Sequence, residues 1–435
     1  MYQRKGLEST VTDPEAAETF ERFSSRLLRI SPGAEEILNA ARDSPEEPIY
    51  QLGRSLFWLF GQTAEAQEQA ADALSLLDEA TLEPHQKRWH GALTLWQQRD
   101  FDRAASAFEQ LTQDAPEDLL AAKGCEFLYY ILGQQHSGPR FRAHMDRLRG
   151  IHEDDPDFLA MAAFALELCG NMSAARKEGE RALELESRVP WAQHALEHVL
   201  LWEGNSEEAM ELMQGWVSDW EASARPIHSH NAWHFAVALL DRLDEESARN
   251  IFHNHVWMQT PEVVVEQLDA ISFLWRMEMA GYEVEQQKWS MLAPYVVDAS
   301  SELFMPFASS HYAYALARAE EKDALENLLT SVENRATQPD PEATRVWGPT
   351  GKAVVFASAA LGRGNAGEAA SGFEASRARL SEIGGSDAQD DLFRFAHIDS
   401  LHRAGRRVDA AKVLRERLAK KKASPMEESL LTRIG

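Results

Sequence analysis

Cysteine is nearly absent: 435 residues hold only Cys125 and Cys169, and no CxxC spacing joins them. A disulfide framework is therefore not the basis of the fold, and a reducing compartment is expected. Basic residues are short as well, with 44 Lys and Arg against 70 Asp and Glu and a formal charge of −26. Phosphate-binding surfaces need basic footprints, so nucleic acid is not an expected partner. The one basic block, Lys420–Lys422, reads as a solvated end of the last helix. Long apolar runs are missing. Stretches such as Leu56–Phe60 and Ala353–Leu361 fall far short of a bilayer span, and Met1–Thr10 holds no apolar signal core. No membrane partner and a cytoplasmic location follow as expectations. Alternating strand patterns and hairpin dipeptides are scarce, and no Gly-x-Ser-x-Gly elbow occurs. Gly348-Pro-Thr-Gly-Lys352 lacks the leading glycine of a phosphate loop.

What the chain does have is a repeat. A residue ending one helix is followed five later by Ala, and usually four later again by a bulky apolar residue. Gly170…Ala175, Gly204…Ala209…Met213, Gly364…Ala369…Phe373 and Gly405…Ala410…Leu414 follow it, while Arg99…Ala104…Phe108 and Leu243…Ala248…Phe252 keep the spacing without glycine. Glycine ends the first helix in the left-handed conformation, Ala lets the second approach closely, and the bulky residue fills the wedge. Ala175 and Ala209 lie 34 apart, Ala369 and Ala410 41 apart. Such periods signal an α-solenoid of helix pairs. Pro116, twelve after Ala104, falls where a tetratricopeptide unit ends. The expected fold is all-α, with tetratricopeptide-like helix pairs in a curved α-solenoid. Residues 1–82 read as an N-terminal helical cap region, 83–335 as repeats carrying a His-rich inner face, and 336–435 as C-terminal helical repeats. They form one continuous array with a kink near 335–350. Loops are expected at Ser44–Pro48, Gln135–Pro139, Arg335–Pro341 and Gly384–Ser386.

First helices line the inner wall of such an array. His90, Glu126, Glu167, His194, His198, His230, His234, Asp269 and His311 all fall on segments of that kind. The pairs His194/His198 and His230/His234 lie 36 apart, each at i, i+4 on one helix face, a familiar half-site for zinc or iron. With Glu197 the string His-Ala-Leu-Glu-His also matches the H-x-x-E-H pattern, whose Glu activates metal-bound water. An unpaired buried polar group costs about 1–3 kcal/mol, so a cluster like this needs partners. Structural zinc returns on the order of 10 kcal/mol. The expected metal ligands are His194, His198, His230 and His234, with Asp269 or His311 closing the site. Imidazole suits zinc, iron or copper, and Asp269 favours iron. Glu197, His311 and Asp269 are the catalytic candidates. His90, Glu126, Glu167, His228, Asn231 and Trp233 complete the pocket, Asn231 orienting an imidazole and Trp233 closing a wall. The functional expectation is a divalent-metal site, zinc or iron, acting on a small molecule as a hydrolase or oxygenase. Three alternatives stand beside it: a hydrogen-bonded structural network, a non-catalytic scaffold gripping a peptide or partner protein, and ligand storage without turnover.

Several of these pieces match family motifs. Ser229-His-Asn-Ala-Trp-His234 fits His-Asn-x-Trp-His, and Trp191 to His198 fits Trp-x-x-His-x-x-x-His. Asp269 with Ser272-Phe-Leu-Trp-Arg276 fits Asp-x-x-Ser-x-Leu-x-Arg, and Phe307 to His311 fits Phe-x-x-x-His. Gly384-Gly-Ser386 with Gln389 fits Gly-Gly-Ser-x-Ala-Gln, and Trp89-His90-Gly-Ala-Leu is a looser match to His-x-x-Ala-Leu. On these motifs the chain, from about Leu7 to its last helix, resembles the family of tetratricopeptide repeat protein 38. The resemblance implies an all-helical tetratricopeptide-like fold and no established reaction. The sequence departs from the family at Glu126, where a His is usual, and at Asp390, where an Arg is usual. Glu197 is not a family requirement.

Overall fold

The computed structural model describes residues 6–204, 206–419 and 423–435. The Met1–Lys5 start and the Lys420–Lys422 block lie outside the described residues. Every regular element among the described residues is helical, and none is a strand, as the sequence led us to expect. No helix among them is long and apolar enough to cross a membrane.

The chain divides into two compact units. One comprises Met1–Leu132, His136–Leu196 and Glu221–Ile227, the other Gly133–Gln135, Glu197–Trp220 and His228–Gly435. The first unit opens with α1 (Pro14–Arg29), α2 (Glu36–Asp43), α3 (Pro48–Leu59) and α4 (Ala64–Ser75). It continues through α5 (Pro84–Gln97), α6 (Phe101–Asp114), α7 (Leu119–Leu132) and most of α8 (Gln134–His152). It then takes α9 (Pro156–Leu168), α10 (Met172–Leu185) and the first half of α11 (Pro190–Glu203). The second unit holds the rest of α11, nearly all of α12 (Ser206–Glu221), most of α13 (Arg225–Asp241), and α14 (Glu245–Ile251) and α15 (Val264–Ala280). There follow α16 (Gln286–Ser300), α17 (Pro306–Arg318), α18 (Lys322–Ala336), α19 (Lys352–Gly362) and α20 (Ala366–Ser376). It ends with α21 (Asp387–Arg403), α22 (Arg407–Leu418) and α23 (Pro425–Ile434). Consecutive helices pack as pairs: α5 on α6 and α9 on α10 in the first unit, α16 on α17, α19 on α20 and α21 on α22 in the second.

The junctions explain the pairing. Gly170, Gly364 and Gly405 sit at φ of 74°, 82° and 76°. At each, the following N–H donates to the carbonyl five residues back: Asn171 to Leu166, Asn365 to Ala360, Arg406 to Leu401. That bond satisfies an orphan carbonyl at the helix end. Arg99 and Leu243 take the same conformation at 61° and 64° without being glycine. The alanines that follow, from Ala104 and Ala175 to Ala369 and Ala410, are completely buried between paired helices. Glu320, at φ 62°, marks a further junction at which buried Leu325 holds the alanine position. Neither Gly nor Ala flags that one in the sequence.

A left-handed conformation costs a side chain with a Cβ about 1–2 kcal/mol, partly offset by the extra chain entropy glycine loses on folding. Leu243 is 42% exposed and has little packing to lose. Leu243→Gly is therefore expected to stabilise the protein by about 0.5–1 kcal/mol, read as a higher melting temperature; a lower one would contradict this account of the junctions.

One expected loop is helix. Gln135–Pro139 lies inside α8, with Pro139 in its second turn. Proline there forfeits a single helical bond near the start, and Gly138 lets α8 close on Leu168, 3.2 Å from where a Cβ would stand. Tight packing outweighs the breaker signal. The 335–350 stretch, where the repeat period changes, contains a π-helical segment over Ala343–Gly351 that runs into α19.

Candidate functional site

In the first unit, two of the expected site residues, Glu126 and His194, meet aromatic partners or a countercharge. Glu126 on α7 accepts from Lys123 one turn earlier and from the indole N–H of Trp191 at 2.6 Å. The Lys123 ammonium also lies 4.5 Å above the Trp191 ring. His194 stacks parallel on Trp191, centroids 4.6 Å apart, with Phe164 edge-on at 5.4 Å. Glu167 is buried on α9, and His90 is half-buried on α5. A buried ion pair with each charge hydrogen-bonded is the arrangement that repays desolvation. Glu126 serves as the acceptor in such a pair.

The second unit gathers the remaining histidines. His198 comes from α11, His230 and His234 from one face of α13, and Asp269 from α15. Asp387, which the sequence reading did not single out, comes from the first turn of α21. Nε2 of His198 stands 3.4 Å from Nε2 of His234, longer than a good hydrogen bond. His230 offers a ring nitrogen within 4.8 Å of one on His234, and the two rings are perpendicular at 4.9 Å. Each flanking imidazole is backed by a carboxylate. Asp269 lies 3.1 and 3.2 Å from Nδ1 of His230, and Asp387 lies 3.5 Å from Nδ1 of His198. A carboxylate behind Nδ1 fixes the tautomer, so that Nε2 turns its lone pair inward.

Local sequence explains why Asp387 stands there. Gly384 and Gly385 adopt φ of 104° and 84°, and a Cβ on Gly385 would lie 2.9 Å from the Phe307 ring. Ser386 then caps α21 reciprocally with Gln389, at 3.3 and 3.0 Å, which puts Asp387 at the first helical position. The Gly-Gly-Ser…Gln spacing is the signal that could have located it.

Trp233 packs against two of these imidazoles. Its ring lies parallel to His230 at 5.4 Å and edge-on to His234 at 4.6 Å, and its buried indole N–H has no hydrogen-bond partner among the described residues. Asn231 is completely buried on the same helix. His228 turns elsewhere, pairing Nε2 with Nδ1 of His255 at 3.2 Å. His311 is enclosed by Phe307, Phe393 and Trp275, with Nδ1 on the Phe307 carbonyl at 2.9 Å. Burial pulls its pKa down to about 3, so the ring is neutral.

The carboxyls respond to burial in different ways. Burial raises Asp269, with the charge and hydrogen bond of His230 working against it. Burial would also raise Asp387, yet the hydrogen bond and charge of His198 hold it below the ordinary range. Glu197 is completely buried, and neither carboxyl oxygen finds a hydrogen-bond partner among the described residues. Burial pushes its pKa well up, the His198 charge only partly opposing this. Such a group favours its neutral, proton-holding form near neutral pH.

Fold and side chains together define an all-helical protein of consecutive helix pairs with buried histidines and carboxylates. No protein-family model matches the chain. Among solved structures it is similar to a chain in the structure of Naa15/Naa10 bound to HypK-THB, with TM-score 0.26 and 12% identity, covering 97% of this chain and 68% of that one. It is also similar to the P58(IPK) TPR domain, with TM-score 0.20 and 13% identity, covering 90% of this chain and 99% of that one. Neither likeness bears on what the present chain binds.

Proposed function

We propose that His198, His230 and His234 bind a divalent cation, zinc or iron, and that the protein acts on a small molecule there by hydrolytic or oxidative chemistry. One observation carries the reading: the 3.4 Å between Nε2 of His198 and Nε2 of His234. Two nitrogens each about 2.0–2.1 Å from a tetrahedral ion stand about 3.3 Å apart, so this is the spacing of two imidazoles sharing a metal. The donor set supports it, since imidazoles backed by Asp269 and Asp387 follow the carboxylate–histidine pattern of metal centres. A bound zinc or iron would supply Lewis acidity, and iron redox chemistry also. The chain's own residues orient the imidazoles through the two aspartates and hold a proton at Glu197. Trp233 shields the rings from water. The further tie to the family of tetratricopeptide repeat protein 38 belongs to this same proposal.

Elemental analysis of protein purified without a nickel column tests it. About one equivalent of zinc or iron is expected in wild type and none in His234→Ala, while Asp269→Asn should weaken metal binding about 10–100-fold. A wild-type protein that takes up neither metal on titration, or a His234→Ala variant that keeps it, would overturn the reading.

A partner-binding scaffold remains the second reading, and one feature favours it. A groove of about 520 Å³ between α12, α13 and α14 has Met210, Phe235, Leu239 and Ile251 along its floor and Glu211 and Glu246 at its rim. Retention of a protein partner by a variant lacking His198, His230 and His234 would support that role.

A further inference from the structure

Arg276 on α15 carries a buried positive charge with very few acceptors around it. The residue is 6% exposed. One terminal nitrogen donates to the Ala388 carbonyl at 2.9 Å, in the first turn of α21. Its Nε has no hydrogen-bond partner among the described residues. Asp391 and Asp241 support the Arg276 charge from a distance, and Asp391 is already engaged by Arg394 at 2.8 Å and by two nitrogens of Arg417 at 2.7 and 2.6 Å. Burial brings the Arg276 pKa down to about 10, which still leaves the guanidinium charged at neutral pH. A buried cation facing one neutral carbonyl is an expensive arrangement for a protein to keep.

The neighbouring unmet groups are donors as well. Ser272 stands one turn before Arg276 on the same face of α15, and its buried hydroxyl has no partner among the described residues. The guanidinium carbon lies 5.7 Å from the centre of the Trp233 ring, whose N–H is likewise unmet. That same ring packs against His230 and His234. An acceptor anchored on Arg276 and Ser272 would therefore place the rest of a small molecule along Trp233, toward the histidines.

We infer that Arg276 and Ser272 form the anchoring site for the carboxylate of a small organic acid, the substrate or ligand class of the histidine centre; this rests on the function proposed above. A monoanion fits better than a phosphate dianion, because a single guanidinium supplies the positive charge while Asp269 and Asp387 are close to the same histidines. Arg matches a carboxylate through two parallel N–H donors, and the unmet Nε is one half of that fork.

The test is calorimetric titration of the full-length protein with benzoate and with propionate at constant ionic strength. Parallel titrations use inorganic phosphate and chloride. Wild type is expected to bind a carboxylate saturably at one site, Arg276→Gln at least tenfold more weakly, and Ser272→Ala several-fold more weakly. Melting without any added acid separates an anchoring arginine from a structural one. Arg276→Met should then melt at or above the wild-type temperature, because it removes a buried charge that no carboxylate contacts directly. Carboxylate binding that ignores Arg276→Gln overturns the inference, as do absence of carboxylate binding, equal binding of phosphate, or a marked drop in the melting temperature of Arg276→Met. Metal content is counted in every sample, so the two readings fail separately. Arg276-dependent carboxylate binding by a protein that takes up no metal would sink the metal centre and leave this site standing. One equivalent of metal with Arg276-independent binding would do the reverse.

Discussion

Replacing Phe108 by alanine is expected to destabilise the first unit by about 3–5 kcal/mol, the range for emptying a buried aromatic position. Phe108 is the bulky residue of the Arg99…Ala104…Phe108 unit, and none of its surface is exposed. Its ring meets Trp89 edge-on at 5.2 Å and Trp96 at 6.0 Å. The opposite helix supplies Gly124, where a Cβ would stand 3.2 Å from the Phe108 ring. The cost comes from two sources: apolar area returned to water, and a void that two rigid indoles cannot collapse to fill. Phe108→Leu should lose less, since it keeps most of the volume, and Gly124→Ala should cost something because it presses on the same ring. Chemical denaturation, followed by tryptophan fluorescence, reads all three. A Phe108→Ala loss under about 1 kcal/mol would mean that the wedge is not the element holding α5, α6 and α7 together.

The helix pairs are legible in the sequence because their determinants are local. A glycine, an alanine five later and an apolar residue four beyond lie within three turns of chain, and proline at the first helical position fixes starts such as Pro84 and Pro306. The same locality explains where the reading stops. The Glu320 junction uses neither glycine nor alanine, so only its backbone angle reveals it. At the histidines, the i, i+4 pair on α13 is visible in the sequence, and the His230–Asp269 contact joins neighbouring first helices 39 residues apart, within reach of the repeat logic. Asp387 and Arg276 are different. Arg276 meets Ala388 across 112 residues of sequence, and no periodicity tells which turn of α21 will face which turn of α15. Glu126 shows a third limit. Lys123 one turn earlier and Trp191 decide its role, and an isolated acidic residue on an inner face looks the same whether it awaits a ligand or already holds a lysine.

Asp390 gives a strong expected dependence of stability on pH. It is 1% exposed, neither carboxyl oxygen has a hydrogen-bond partner among the described residues, and burial raises its pKa well above 3.8. The Arg394 charge pulls the other way, while Asp387 and Asp391 add to the rise. Well below about pH 4 the group is protonated in folded and unfolded chains alike, so its contribution to stability is fully present there. As pH rises, the unfolded chain ionises Asp390 freely while the folded chain holds the proton, and stability falls until the raised folded pKa is passed. Asp387 behaves oppositely: its pKa is depressed, so the stability it contributes is present above the ordinary carboxylate range and lost as pH falls. Removing the Asp390 carboxyl should therefore stabilise the protein, and more so in alkali. Asp390→Leu is expected to gain about 1–3 kcal/mol at pH 8, with the gain shrinking toward pH 5. Asp390→Asn should share the pH dependence with a smaller gain, because its amide is still buried without partners. Denaturation of the three proteins at pH 5 and pH 8 decides it. A gain of equal size at both pH values would show that Asp390 is equally protonated in folded and unfolded chains, and a loss at pH 8 that it is ionised and well served where it lies.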